Sequence, residues 1–193
     1  TPGFIPFAEA LLDTRHYDLS RDNQGVQRDS NGAQLRGGAS FEVTRLVTAE
    51  VAAGYGLRRY EDPRLRDVSG PVVEGTLNWA VSPLTNVLLR GTTEFNETTQ
   101  IGSSGAVTRR ISAELSHAFL RNLVFRFGAS FARADYNGIN RQDDTLRAAL
   151  GVDYSLTRNL VLRAGYTREQ TTSNVPGNNL SANVWLFGAR WQW

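Results

Sequence analysis

The chain has 193 residues with 21 basic and 19 acidic side chains, and it contains no cysteine, no methionine and no lysine, so every basic residue is arginine. That length accommodates one domain with a large interior, while the absent cysteine excludes disulfides and thiolate-based metal or redox sites. A formal charge of +2 without a basic patch argues against nucleic-acid binding, and no run approaches the ~20 apolar residues of a transmembrane helix.

Taken in chain order, polarity changes at every second residue, the period of a strand and not of a helix. The pattern predicts ten strands, at 4–17, 31–43, 46–61, 71–82, 86–97, 106–119, 122–136, 144–156, 159–172 and 180–193. Five polar connections fall near 18–30, 62–70, 97–105, 137–143 and 173–179, rich in Gly, Asn, Asp, Ser and Arg as turn chemistry requires. Between them the turns are tight, as at Thr157-Arg158-Asn159. Strands of a dozen residues or more exceed the usual globular length and suit a tilted bilayer crossing.

The hairpins repeat. The segments beginning at Pro83, Phe119 and Leu156 each carry Asn, three apolar residues and then Arg, with the Asn positions 36 and 37 residues apart. Val43-Thr44-Arg45-Leu46 is a looser copy one period earlier. Such a period also occurs in helical repeats, but the two-residue alternation inside each copy excludes them here. In the last copy Leu160, Leu162, Ala164 and Tyr166 oppose Arg163, Gly165, Thr167 and Glu169. In the middle copy Leu123, Phe125, Phe127, Ala129 and Phe131 oppose Arg126, Gly128, Ser130 and Ala132. In the first, Val87, Leu89 and Phe95 oppose Arg90, Thr92, Glu94 and Asn96.

Four features predict that the polar face is the inner one, among them the C-terminus, where Trp191, Ala189, Phe187 and Trp185 alternate behind Trp193. Charges of both signs sit at mid-strand: Glu50, Glu74, Arg90, Glu94, Arg110, Glu114, Arg126, Arg147, Asp153 and Arg163. These ten are the expected lumen-lining residues. Short turns alternate with long loops, as at the periplasmic and extracellular ends of outer-membrane barrels. Aromatics gather toward strand ends, with Trp79, Phe119, Tyr154, Trp191 and Trp193 near the short turns and Tyr55, Tyr60, Phe95, Phe131, Tyr136 and Tyr166 near the loops, which fits two interfacial girdles. A mean hydropathy of −0.35 is compatible with this arrangement, because a barrel strand shows lipid only every second residue.

Residues 1–193 therefore read as a single all-β domain, an antiparallel up-and-down transmembrane β-barrel of about ten strands in this chain. The chain does not open on methionine. A removed signal peptide is one expectation; further strands upstream, which would make these the C-terminal strands of a larger barrel, are the other. At the C-terminus Trp185, Phe187, Trp191 and Trp193 alternate. A terminal aromatic with apolar residues at alternate positions resembles the signal read by the barrel-assembly machinery.

Leu-Thr-Arg-Asn-Leu-Val-Leu-Arg-Ala-Gly-Tyr at 156–166 resembles a recurrent element of the outer-membrane family called putative β-barrel porin 2. Arg28-Asp29-Ser30, Gly54-Tyr55, Trp79 with Ser82-Pro83-Leu84-Thr85, Glu97-Thr98, Arg141-Gln142-Asp143 and Asn183 match it in the same order along the chain. The resemblance implies barrel architecture, no catalytic motif and a chain usually longer than this one. Some relatives accompany exopolysaccharide export.

Chemical sites are few. His16 with Asp13, Asp18, Asp143 and Asp144 is the one conceivable protease-like rim cluster, and solvated rim residues are the simpler reading. Asp62, Asp67, Asp143 and Asp144 offer oxygen ligands without calcium-loop spacing. Gly102-Ser103-Ser104-Gly105 is a turn and not a nucleophile elbow. No enzyme, cofactor or metal site is expected. The expected function is a passive outer-membrane channel for small polar or anionic solutes through an Arg/Glu-lined lumen. The alternative is a closed structural or interaction barrel serving a partner complex such as surface-polysaccharide export. Arg90, Arg126 and Arg163 share one offset from their turns and should sit at similar depth. They either pair with Glu74, Glu94, Glu114 and Asp153 and fill the interior, or form a ladder favouring anions. Expected partners are outer-membrane lipid and lipopolysaccharide, the assembly machinery through the last strand, and envelope proteins, with no nucleic acid. Expected placement is the bacterial outer membrane, termini periplasmic and long loops extracellular.

Overall fold

The period-two pattern forms strands throughout. A computed structural model describes residues 3–22 and 25–192, so Trp193 of the expected assembly signal lies outside the described residues. The ten strands are β1 (Phe4–Arg15), β2 (Ser30–Thr44), β3 (Val47–Tyr60), β4 (Val68–Ser82), β5 (Thr85–Asn96), β6 (Gly105–Leu120), β7 (Leu123–Asn137), β8 (Gln142–Ser155), β9 (Leu160–Ser173) and β10 (Leu180–Trp191). They form one antiparallel meander in sequence order. Among the described residues β1 pairs only with β2, and β10 only with β9.

The tight turns explain the repeat. At three of the four tight turns a hydroxyl at or just past the end of the incoming strand accepts a turn amide. Thr44 Oγ1 takes Leu46 N at 3.1 Å, Ser82 Oγ takes Leu84 N at 3.2 Å, and Thr157 Oγ1 takes Leu160 N at 3.1 Å. This is the local side-chain bonding that favours Ser and Thr in turns. The repeated Asn then stitches the turn to the next strand. Asn122 Nδ2 donates to Ser155 O at 3.4 Å, and Asn159 Nδ2 donates to Gln192 O at 2.6 Å.

The large apolar side chains do not form an interior. Buried apolar residues are small: Ala39, Ala52, Val68, Val72, Ala106 and Ala132. Among the described residues the largest fully buried side chains are Ser30, Ser103 and Ser104, whereas Leu35, Val51, Val73, Leu89, Ile111, Phe127, Leu146, Leu150, Trp185 and Phe187 are exposed. A water-soluble sheet would bury such a face. This one displays it across every strand. The outermost strands β1 and β10 also carry exposed apolar side chains on the polar face, Ile5 and Leu11 on β1 and Val184 and Leu186 on β10.

The girdle at the turn end keeps Trp79, Phe119, Tyr154 and Trp191 as exposed side chains. The loop-end girdle differs from expectation. Tyr55, Phe131 and Tyr166 share the apolar face, where Trp185 joins Tyr166 at 4.5 Å between ring centroids. Tyr60, Tyr136 and Phe95 turn to the polar side instead. Tyr60 shares a rung with Ser30, and Tyr136 donates its hydroxyl to Asp143 at 3.1 Å. The Phe95 ring lies against Gly56 and Val72, because β4 and β5 pair only from Gly75–Gly91 down to the turn and separate above it. A phenol close to a carboxylate does better inside the polar rim than in lipid.

An arginine-rich polar face as the candidate functional site

Strand register places all ten sequence-predicted charges on one face. Following cross-strand partners, one rung runs Ser40–Glu50–Thr76–Arg90–Ser112–Ser130–Arg147–Glu169 from β2 to β9. Arg110 sits one rung nearer the loops, opposite Thr92 and Ala132, and Glu114 one rung nearer the turns, opposite Leu88 and Gly128. Arg126 pairs with Ser116 and Gly151, and Arg163 with Asp153. The repeat arginines thus step down the sheet, Arg126 two rungs and Arg163 three rungs nearer the turns than Arg90, as an equal offset from each turn requires in a staggered sheet.

The face divides electrostatically. In β1–β4 the arginines are neutralised. Arg36 bridges Glu9, at 2.7 Å, and Glu74. Arg58 joins Asp13 and donates to Ser30 Oγ at 3.0 Å. Arg15 meets Glu97 at 2.6 Å. Glycines make this packing possible. A Cβ on Gly32 would stand 2.2 Å from Asp13 Oδ1, and one on Gly54 2.0 Å from Leu35 O and 2.7 Å from Arg36 Cβ. These bridges escape the sequence reading because their β1 and β2 segments interleave charges with Leu11 and paired glycines, which blurs the alternation.

In β5–β9 the pairing differs from the expected one. Arg126 and Arg163 both meet Asp153. Glu74 belongs to Arg36 and not to the repeat arginines. Arg90, Arg110 and Arg147 are exposed and enter no ion pair among the described residues, nor do Glu94, Glu114 and Glu169. A hollow of about 510 Å³ lies on this half, lined among others by Arg110, Ser112, Glu114, Ser130 and Arg147. A second, of about 370 Å³, lies toward the loops beside Asp13, Arg36, Arg58 and Glu94.

The loops interlock above the face. Arg28 donates to Asp22 Oδ2 at 2.7 Å and to Thr98 O at 2.6 Å, joining the segments around 16–29 and 97–104. Asn137 Nδ2 reaches Asp67 O at 2.9 Å and Ser104 Oγ at 3.0 Å, and Arg141 reaches Gln100 Oε1 at 2.8 Å. Ser103 and Ser104 are buried in this cap. The candidate rim residues are parts of it or lie beside it. His16 meets Asp29 at 2.7 Å and stays exposed, apart from Asp143, which holds Arg141, and Asp144, which holds Arg133. Asp62 binds Arg64 and Asp67 accepts the Tyr60 amide. Among the described residues no group of three metal-binding side chains converges. His117, at the opposite end, shares a 2.9 Å hydrogen bond with Thr85.

A long-stranded antiparallel meander, apolar on one face and charged on the other, with short turns at one end and interlocked loops at the other, defines an outer-membrane β-barrel of the porin type. Solved porins share the fold. The chain aligns with the NanC porin at TM-score 0.52 and 13% identity, covering 99% of this chain and 98% of that one. It aligns with a Pseudomonas aeruginosa FadL homologue at TM-score 0.53 and 12% identity, covering 98% of this chain and 63% of that one. It also aligns with a porin refined at 1.8 Å, at TM-score 0.54 and 14% identity, covering 99% and 58%. No curated protein matches the sequence. The family described as "Putative beta-barrel porin 2" matches residues 1–193, and the chain belongs to it.

Proposed function

We propose that the protein is a passive channel of the bacterial outer membrane for small polar or anionic solutes, and that its polar face lines the lumen. The observation that carries this is the set Arg90, Arg110 and Arg147, exposed and, among the described residues, free of ion pairs on the face opposite the lipid-type surface. Charges left unpaired on such a face are best accommodated by water and mobile ions, since a dry interior penalises each one. Family membership supports a porin role, which is ordinarily non-enzymatic. In this reading the short turns and termini are periplasmic, the long loops extracellular, and Trp185, Phe187, Trp191 and Trp193 present the assembly signal. Recording single channels of the protein in planar bilayers tests the proposal. Discrete conductance steps are expected, and silent bilayers containing folded protein would refute it. The interlocked loops favour a second reading, a closed barrel that serves a partner complex; stable co-purification with an envelope protein, without conductance, would establish it instead.

A further inference from the structure

The hydroxyl and guanidinium groups on one rung suggest more than a charged wall. Ser112 and Ser130 are direct cross-strand partners, and Arg90 and Arg147 flank them on the same rung. Strands lie about 4.8 Å apart, so the two arginines start roughly 14 Å from each other, within the combined reach of two extended side chains. Arg110 stands one rung above, beside the serines, and with Ser112, Ser130 and Arg147 lines the 510 Å³ hollow. Neither Arg90, Arg110 nor Arg147 is committed to a carboxylate among the described residues, in contrast to Arg36, Arg58 and Arg126, which are.

We propose that Arg90, Ser112, Ser130, Arg147 and Arg110 form a binding cradle for a hydroxylated monocarboxylate of sugar-acid size. This rests on the polar face being open to solute. Each ligand group has a counterpart. A guanidinium takes a carboxylate through two parallel hydrogen bonds. The serine hydroxyls between the arginines donate to and accept from ligand hydroxyls. Glu50 and Glu169 close the rung on either side of the arginines. They offset the arginine charge and disfavour a dianion, which selects one negative charge over two.

Calorimetric titration of the folded barrel in detergent micelles tests the cradle without requiring conduction. Glucuronate, glucose and inorganic phosphate are the three probes. Glucuronate should bind at least tenfold more tightly than either of the others. Arg90→Gln and Arg147→Gln should each weaken glucuronate binding about tenfold, while Arg59→Gln, on the opposite face, should leave it unchanged. Each variant's folding is verified by its heat-dependent electrophoretic mobility. Equal affinity for glucose and glucuronate, or tighter binding of phosphate, overturns the proposal, as does full affinity in both cradle variants. Binding without conductance keeps the cradle and removes the channel. Conductance without glucuronate binding does the reverse.

Discussion

Leu150 gives the sharpest test of which face meets lipid. It lies on the apolar side of β8, opposite Phe127 on β7 and Tyr166 on β9. It stands five residues above Ser155 at the turn end. At about 3.4 Å per residue and a tilt near 40°, that is roughly 13 Å, the middle of an apolar band about 25 Å tall. An arginine at this depth costs about 2–4 kcal/mol on a lipid-facing surface, a factor of roughly 30 to 700 in the folding equilibrium. Ala149, its chain neighbour, shares the other face with Gly128 and Thr167. Ala149→Arg should therefore cost under about 1 kcal/mol, because its guanidinium enters the polar interior. Reversible urea unfolding in phospholipid vesicles, followed by tryptophan emission, measures both. Equal costs for Leu150→Arg and Ala149→Arg, or a larger cost for Ala149→Arg, would refute the assignment of the faces.

The loop cap and the last strand make further predictions. Arg28→Gln removes the charge-assisted bonds to Asp22 and Thr98, each worth about 1.5–3 kcal/mol, so amides of 97–104 should exchange hydrogen at least about tenfold faster; unchanged exchange would contradict the part given to Arg28 in joining these loops. Hydrogen bonds from the Arg64 side chain and from the Arg64 and Gln27 amides hold the Asp62 carboxyl well below the usual carboxylate range. A carboxylate depressed in the folded state stabilises above its unfolded value, near 3.9, and loses that contribution as pH falls through the folded value. The protection factors of loop 61–67, rates taken relative to the intrinsic exchange rate at each pH, should thus stay level from about pH 7 to 4 and fall only below that, and a fall around pH 6 would show another group in control. Combined Trp185→Ala and Phe187→Ala should cut the amount of folded barrel in cells severalfold while sparing refolding in micelles; normal cellular assembly would remove these residues from the assembly signal.

Much of this was legible in the residues. Strand positions follow from alternation, and each expected span differs from the observed one by at most three residues at either end; the last strand is seen as Leu180–Trp191. Long-range pairing was less so. The repeat arginines look equivalent in sequence, yet only Arg126 and Arg163 find Asp153. Arg90 does not, because the sheet's stagger sets it against Thr76 and Ser112. Tyr60 and Tyr136 resemble girdle residues by their distance from the turns, but one-residue parity turns them to the polar face. The cap was hidden for a different reason. Arg28, Asn137 and Arg141 act on loop segments 33 to 75 residues away, and local turn chemistry carries no record of such partners.

The central claim is that one face of the sheet meets water and the other meets lipid. The absence of cysteine makes it directly measurable. Single cysteines at 146–153 on β8, in protein reconstituted into vesicles, can be scored with a water-soluble maleimide and a lipid-phase quencher. Positions 147, 149, 151 and 153 should take the maleimide, while fluorophores attached at 146, 148, 150 and 152 should be quenched from the lipid. Loss of the two-residue alternation, or its reversal, would contradict the account.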